Sequence, residues 1–506
     1  MLSLREVLPV VHFSAVNLQQ LFQYFNFKSA SSDLQKQVVG LCLDSKTVQV
    51  GSVFFAIKGH ARDGHDLISE ALAKGAIAVV CSDAEKVPKD FEGPILQVQD
   101  VRSMASLMAA RFYGFPSQRL KTVGVTGTNG KTSVTYLTEY LLNQSGIPTA
   151  VMGTIDHHLG EKKWSTDLTT PDPVSLQSRL KDFKNSSAEA VIMEVSSHAL
   201  DQKRVEGVDF DVAVFTNLTR DHLDYHKTMK QYHEAKQRLF TDLMWKSQKS
   251  PTTAVINIDD SFGRRTRVSE KAGIFTYGQV DCDFQFKVQS FDWMGTHFEL
   301  KTLEGNFELQ IPLLGVHNVY NTVAALAVAS AFGVKIEQLM PSLQSFKGIP
   351  GRLQKVPVDN KQVFIDYAHT PDALEKVLQM LCETRKSIQK KSQIWCVFGC
   401  GGDRDAGKRP LMALAAEKYA DQVIVTSDNP RTENPRQILE DIEKGFSKTN
   451  YKKIENRKEA IHYALTNSAV GDVILIAGKG HEDYQIIGTE KTHFSDYEVV
   501  IEGVKP

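Results

Sequence analysis

Two rhythms of hydrophobic residues alternate along the chain: short unbroken apolar runs bounded by glycine and polar residues, and longer stretches in which apolar positions recur at helical spacing. The first predicts buried strands and the second amphipathic helices. Up to residue 108 the runs predict strands at 39–43, 52–56 and 76–81 and a helix at 67–74. Strands follow at 190–193, 212–215 and 254–257, and again at 362–365, 394–398, 422–425 and 472–476. Such alternation predicts an α/β fold with mainly parallel sheets. Turn-forming clusters at 113–116 and 348–352 interrupt it, so three domains are expected, 1–108, 109–351 and 352–506.

The stretch 123–134 places an apolar strand, a Thr-Gly-Thr-Asn-Gly-Lys-Thr turn and a helix start around Lys131. Gly127 and Gly130 let the backbone turn without a Cβ in the way. Successive N–H groups of this turn, which includes Thr128 and Asn129, and the positive end of the helix can then converge on an anionic oxygen. Lys131 supplies a point charge for terminal phosphates, and the Thr132 hydroxyl is placed to ligate Mg²⁺. The first glycine of the general phosphate-loop pattern would fall at Val125, so the match is imperfect; Tyr136, Leu137, Tyr140 and Leu141 supply the amphipathic helix that strengthens it. ATP or GTP binding follows, with a central P-loop ATPase domain and a Rossmann-like C-terminal domain.

At 506 residues and 42% hydrophobic, the chain can fill several cores. Its 59 basic and 60 acidic residues leave no electrostatic footprint for nucleic acid or an anionic membrane. Six scattered cysteines without C-x-x-C pairs predict free thiols in a reducing compartment, Cys396 and Cys400 among them as strand-packing residues. No basic leader opens the sequence and no run approaches the roughly 20 apolar residues of a bilayer crossing, so the expected location is the cytoplasm.

Predicted strand ends carry the remaining chemistry. Glu194-Val195-Ser196-Ser197-His198 follows one strand and Thr216 to His226 another, giving carboxylate and imidazole candidates for Mg²⁺ beside the phosphate loop. Lys236, in the helix opening at Tyr232, reads by composition as a solvated position. Thr370 and Pro371 read as an N-cap and first helical residue, leaving Asp366 and His369 available for function. Gly399 to Asp405, with its neighbours Ser427-Asp428-Asn429-Pro430-Arg431 and Gly478-Lys479-Gly480-His481-Glu482, brings arginines and carboxylates to one crevice, although Asp-Asn-Pro is also an ordinary turn opener.

In order and spacing these segments, with 317–321 and Gly351-Arg352, resemble the Mur ligases along the whole chain. The resemblance implies an ATP-dependent amide ligase of peptidoglycan precursor synthesis. Such a ligase phosphorylates a substrate carboxylate and lets an amine attack the acyl phosphate. It implies Mg²⁺ held by Thr132, Glu194 and His222, and Lys236 carbamylated by CO₂ as a further metal ligand. Lys131, Lys236 and His222 would serve catalysis, and Asn318, Arg352, Asp366 and His369 would contact the nucleotide. Ser45, with His60, Ala61 and Arg62, would bind the UDP of a UDP-muramoyl-dipeptide, and Thr169, Thr170, Ser196, Gln202 and Arg204 the muramoyl-dipeptide. In the acceptor pocket, Arg431 with Arg404 would clamp the distal carboxylate of meso-diaminopimelate within the tetrad Asp428, Asn429, Pro430 and Arg431, while Gly478 and Glu482 take its distal amine. L-Lysine, which lacks that carboxylate, would leave Arg431 unpaired. The 348–351 turn is a candidate hinge, and the chain is expected to be a monomer. A lysine-adding ligase, a folylpolyglutamate-synthetase-like ligase and a nucleotide-dependent switch are the alternatives.

Overall fold

The computed structural model describes residues 16–28, 34–59, 62–166, 168–358, 360–388 and 391–504. It resolves into two compact units, residues 1–285, 302–304 and 320–339 in the first and 286–301, 305–319 and 340–506 in the second.

In the first unit, β1 (Gly40–Cys42), β2 (Ser52–Phe55), β3 (Ala76–Cys81) and β4 (Ile95–Gln97) make a parallel sheet in that order. Val53, Phe55, Ala78 and Val80 enter one core with Leu21, Phe22 and Met108, whereas Phe54, Val79 and Cys81 enter another with Ile68 and Ala71. Alternate residues feed two cores because the sheet is covered on both faces, which is why its strands read as unbroken apolar runs. The helix expected at 67–74 is a 3₁₀ turn, Gly64–Leu67, running into an α-helix, Ile68–Ala73.

A second sheet of this unit comprises β5 (Lys121–Thr126), β6 (Thr149–Met152), β7 (His157–Leu159), β8 (Lys162–Trp164), β9 (Ala190–Glu194), β10 (Val212–Phe215), β11 (Thr252–Asn257) and β12 (Ala272–Gly278). Its order is β12-β11-β10-β5-β9-β6-β7-β8, with parallel pairing up to β6 and antiparallel pairing of β7 with both β6 and β8 at one edge. β9, β5 and β10 are neighbours, with Val125 opposite Glu194 and Thr126 opposite Phe215. The segments following these three strands therefore leave one sheet edge, the carboxyl edge at which open α/β sheets bind ligands.

β13 (Phe284–Asp292), β14 (Gly295–Thr302) and β15 (Gly305–Ile311) follow in the chain. Hydrophobic runs do not reveal them, because partly or fully exposed positions interrupt the buried ones. The second unit is built on β16 (Gln354–Val356), β17 (Gln362–Asp366), β18 (Ile394–Phe398), β19 (Gln422–Val425), β20 (Tyr451–Lys453) and β21 (Val473–Ala477), ordered β16-β17-β21-β18-β19-β20 with only β16 antiparallel. Phe364, Cys396, Phe398, Val423 and Leu475 fill one face, and Ile365, Trp395, Val397, Ile424 and Ile476 the other. A hairpin of β22 (Tyr484–Ile487) and β23 (Glu490–His493) completes the unit.

Thr370 caps the helix Pro371–Ser387, its side chain accepting the Ala373 amide as the sequence predicts. Thr370→Ala should therefore lower stability by about 1 kcal/mol, read as a small drop in melting temperature at unchanged secondary structure. The 348–351 turn lies within the second unit, where a Cβ on Gly351 (φ 64°) would stand 2.1 Å from the His481 amide nitrogen. All six cysteines are free, and Cys396 and Cys400 are core residues. Among the described residues no helix is long and apolar enough to cross a membrane.

Candidate active site

The loop after β5 is shaped by two glycines with positive φ, Gly127 at 149° and Gly130 at 85°. A Cβ on Gly127 would meet the Thr216 hydroxyl at 1.9 Å, so the close approach of the post-β10 segment requires glycine. That segment braces the loop: the Thr128 amide donates to Asn217 O at 2.8 Å and the Asn129 amide to Asn217 Oδ1 at 3.0 Å. Gly130 is the N-cap of the helix Lys131–Gln144 and has no capping side chain. Lys131 Nζ folds back to donate to the carbonyls of Gly127 (3.0 Å) and Thr128 (2.8 Å). A cation, a helix N-terminus and a glycine turn thus coincide, an arrangement suited to phosphate.

Thr132 and Glu194, from β5's helix and from β9, meet directly: Thr132 Oγ1 donates to Glu194 Oε1 at 3.0 Å. Glu194 is 1% exposed and also accepts the Thr154 amide (2.9 Å, Oε1) and the Thr154 hydroxyl (3.0 Å, Oε2). A Cβ on Gly153 would stand 2.5 Å from Glu194 Oε1, so the β6–β7 turn packs its backbone onto this carboxylate. A buried carboxylate beside a hydroxyl is a hard-oxygen pair of the kind Mg²⁺ takes.

The composition-based expectation of a solvated Lys236 is overturned. Its side chain is 1% exposed, on the same helical face as Tyr232 and Ala235 in the helix Met229–Arg238. Lys236 Nζ donates to Gly127 O at 2.9 Å, the carbonyl that Lys131 also uses, and lies 4.7 Å from the Tyr232 ring centroid. Burial first, and the neighbouring Lys131 charge second, push its amine well below the ordinary lysine range. His222 is half-exposed on the post-β10 segment, its ring 4.9 Å from that of His198 and 6.0 Å from that of Tyr232. Among the described residues no group of three or more His, Cys, Asp and Glu side chains forms a metal cluster. Any ion at this edge would rely on hydroxyl or modified-lysine oxygens as well.

Thr170, Ser196, Gln202 and Arg204 form one hydrogen-bonded set. Thr170 Oγ1 donates to Glu194 O (2.8 Å) and accepts the Ser196 amide (3.0 Å). Arg204 Nη1 donates to Thr170 O (2.8 Å), and its Nε and Nη2 donate to Gln202 Oε1 (3.1 and 2.6 Å). Thr169 Oγ1 lies 3.0 Å from Thr154 Oγ1, which places it next to the Glu194 clamp. Ser45 is buried in the 3₁₀ turn Ser45–Thr47, its carbonyl accepting Lys74 Nζ at 3.1 Å, and Arg62 is exposed. His60 and Ala61 lie outside the described residues.

In the second unit, strands β17, β21, β18 and β19 are neighbours, and the segments after them hold the other candidates. Asp366 is not left over from local structure as the capping argument implied: its carboxylate accepts the Leu353 (2.7 Å) and Ala368 (2.8 Å) amides. Burial raises its pKa against the pull of Arg352. The Arg352 guanidinium sits over the Tyr367 ring, 5.1 Å from its centroid. His369 is exposed, its Nδ1 2.8 Å from Tyr367 O. Asn318 donates to Leu314 O at 2.8 Å.

Gly401 lies between two arginine side chains: a Cβ there would lie 3.0 Å from Arg431 Nη1 and 3.8 Å from Arg404 Cγ. Arg431 has a left-handed backbone (φ 51°), donates from Nη1 to Gly402 O (2.8 Å), and is bridged to Ile487 of β22 through its N–H to Ile486 O (3.1 Å) and its own carbonyl to the Gly488 amide (2.7 Å). Asp428 and Asn429 are buried, and a Cβ on Gly478 would meet Asp428 Oδ2 at 2.8 Å. Pro430 is buried beside them, its carbonyl 1.9 Å from a Cβ built on Gly402. Glu482 Oε2 accepts Asn429 Nδ2 at 2.9 Å and Lys479 Nζ at 3.2 Å.

Sequence reasoning missed four residues. Lys479 is 0% exposed and lies between Asn429, Glu482 and Asp428. Tyr232 joins its hydroxyl to Thr128 Oγ1 at 3.2 Å and stacks on His226. Asn321 Oδ1 would stand 2.5 Å from a Cβ on Gly130. Each lies in a run already singled out, so its position was the available signal; Thr154, the fourth, carried none.

Three family models match: the "Mur ligase family, catalytic domain" over residues 37–113, the "Mur ligase middle domain" over 125–329 and the "Mur ligase, glutamate ligase domain" over 351–480. The chain is 42% identical over 506 residues to UDP-N-acetylmuramoyl-L-alanyl-D-glutamate--2,6-diaminopimelate ligase of Geobacter sulfurreducens, covering 96% of this chain and 98% of that protein. The protein of the same name from Bacillus cereus is 42% identical over 471 residues, covering 92% and 94%. A solved structure of a ligase with this name superposes with a TM-score of 0.71 at 35% identity, covering 97% of this chain and 99% of that one.

Proposed function

This chain belongs to the Mur ligase family, and from that membership we propose that it joins meso-diaminopimelate to UDP-N-acetylmuramoyl-L-alanyl-D-glutamate at the expense of ATP. The observation that carries the acceptor assignment is that two arginines meet at Gly401, the Arg431 guanidinium and the aliphatic stem of Arg404 both lying within 4 Å of a Cβ built there. Two planar cations suit the distal carboxylate that distinguishes diaminopimelate from lysine.

The γ-phosphoryl group passes from ATP to the substrate's carboxylate, releasing ADP. The acceptor amine adds to the acyl carbon of the resulting acyl phosphate, phosphate departs, and the ammonium proton is lost to give the amide. A carboxylate is a poor electrophile, and this activation is what ATP supplies; alignment and charge neutralisation are the protein's share. The loop Gly127–Thr132, the positive end of its helix and the ammonium of Lys131 hold the phosphates, while Asn217 occupies the Thr128 and Asn129 amides and braces the loop. Thr132 and Glu194 fit Mg²⁺ through oxygen, with His222 and a carbamylated Lys236 as further ligands; the ion neutralises phosphate charge when bound. The neutral Lys236 amine is the form that reacts with CO₂, and its burial supports that modification. Arg204, Gln202, Ser196, Thr170 and Thr169 bind the muramoyl-dipeptide. Ser45, His60, Ala61 and Arg62 bind the uridine diphosphate, and Asn318, Arg352, Asp366 and His369 the nucleotide. Asp428, Asn429, Pro430 and Gly478 shape the acceptor pocket, with Glu482 facing the distal amine. The three matched segments support domains at 1–108, 109–351 and 352–506. A cytoplasmic monomer is the setting.

The test is ATP-dependent phosphate release with the UDP-muramoyl-dipeptide and meso-diaminopimelate, L-lysine or no amino acid. Release is expected only with diaminopimelate. Release with lysine alone would discard the reading of Arg431, and release independent of both substrates would make the chain a nucleotide switch.

A further inference from the structure

A buried charged chain links the phosphate-loop helix to the turn that holds Glu194. His158, in β7, is 7% exposed and lies between two carboxylates, with Nδ1 2.7 Å from Asp156 Oδ1 and Nε2 3.0 Å from Glu139 Oε1. Burial opposes its charge, yet the hydrogen bonds and charges of Asp156 and Glu139 outweigh burial and push the imidazole up to about 9. Tyr136 donates its hydroxyl to Asp156 Oδ1 at 3.0 Å. Tyr136 and Glu139 stand four and seven residues beyond Thr132 in the helix Lys131–Gln144, so the three share one face.

At the other end of the chain, Asp156 O accepts the Gly153 amide at 3.2 Å and closes the turn between β6 and β7. Within that turn Thr154 gives both its amide and its hydroxyl to Glu194, and Thr132 gives its hydroxyl from the helix side. Glu194 is therefore gripped by the turn and by the helix, and His158, bonded to a carboxylate of each, ties these two together alongside the Tyr136–Asp156 hydrogen bond. A buried cation between carboxylates costs desolvation and is a poor way to gain stability, but its hydrogen bonds have direction, which apolar packing at a sheet edge does not supply.

We propose that His158 is a positioning residue: through Asp156 and Glu139 it fixes the turn against the phosphate-loop helix and so sets the orientation of the Glu194 carboxylate toward Mg²⁺. This rests on Glu194 being a Mg²⁺ ligand.

Calorimetric titration of the full-length protein with ADP, in graded Mg²⁺ and in chelator, tests it. His158→Gln should raise the Mg²⁺ concentration needed for tight ADP binding by about tenfold, with metal-free ADP affinity and the KM for the amino acid within about twofold of the parent. Tyr136→Phe, which removes one hydroxyl and keeps the ring, should shift it the same way by less. Glu194→Gln is the reference. If it leaves the Mg²⁺ requirement unchanged, the assignment of Glu194 falls and the inference with it. If it raises the requirement while His158→Gln and Tyr136→Phe do not, the inference alone is overturned. Equal weakening of metal-free and Mg²⁺-dependent binding in His158→Gln also overturns it, as the mark of general loosening.

Discussion

Lys131→Ala is expected to slow ligation by roughly 10³-fold, the scale on which removing one preorganised charge from a phosphoryl-transfer site acts. The turn itself should survive, because its shape comes from Gly127 and Gly130 and from the braces to Asn217, none of which involve the lysine side chain. The hydrogen bonds from Lys131 Nζ to the Gly127 and Thr128 carbonyls are to the loop backbone and are replaceable by water. An unchanged melting temperature together with lost phosphate release is thus the expected pair of results. Lys131→Arg should not restore activity, since a planar fork cannot occupy the place of a compact ammonium. A variant that kept parental rates would remove Lys131 from the reaction.

Arg431→Ala should raise the KM for meso-diaminopimelate by roughly 10²-fold, the cost of leaving a desolvated carboxylate without its partner. The KM values for ATP and the UDP-sugar peptide should stay near parental, because Arg431 packs on the second unit's Gly401–Gly402 turn and β22. Arg431→Lys is expected to recover little, since a bidentate site does not accept a point charge. Steady-state kinetics with each substrate varied in turn would check this; full diaminopimelate affinity in Arg431→Ala would transfer the carboxylate to another group.

Most strands covered on both faces were legible; β6 (Thr149–Met152), buried at all four residues, was not. The runs at 52–56, 76–81, 394–398 and 422–425 are apolar at every buried position except Ser52, and the observed strands differ by at most one residue at an end. β13 to β15 were not, because one-sided burial breaks the run that marks a strand. At the site, Gly127, Gly130 and Lys131 announce themselves through a local pattern, as do the Thr370 cap and Pro371. Lys236 could have been placed correctly without any resemblance. Tyr232, Ala235 and Lys236 are spaced as one helical face, and a lysine on an apolar stripe is a buried lysine, not a solvated one. Asp366 shows the reverse error. Its amide partners, Leu353 and Ala368, come from a β16–β17 pairing and a loop that no local rule displays. Thr154 and His158 stayed silent for the same reason: their importance is a matter of which strand lies beside which.

The bridge between Arg431 and β22 makes the arginine proposed to read the acceptor, in effect, a guest strand on a hairpin whose far side, β23, is solvent-exposed along its length. Two backbone hydrogen bonds fasten it there, and neither depends on a side chain. Lineages that lengthen or reshape the Gly488–Thr489 turn could thus retune which diamino acid is admitted without altering one residue that touches it. For engineers the same hairpin is a dial on selectivity, set apart in sequence from the phosphate loop.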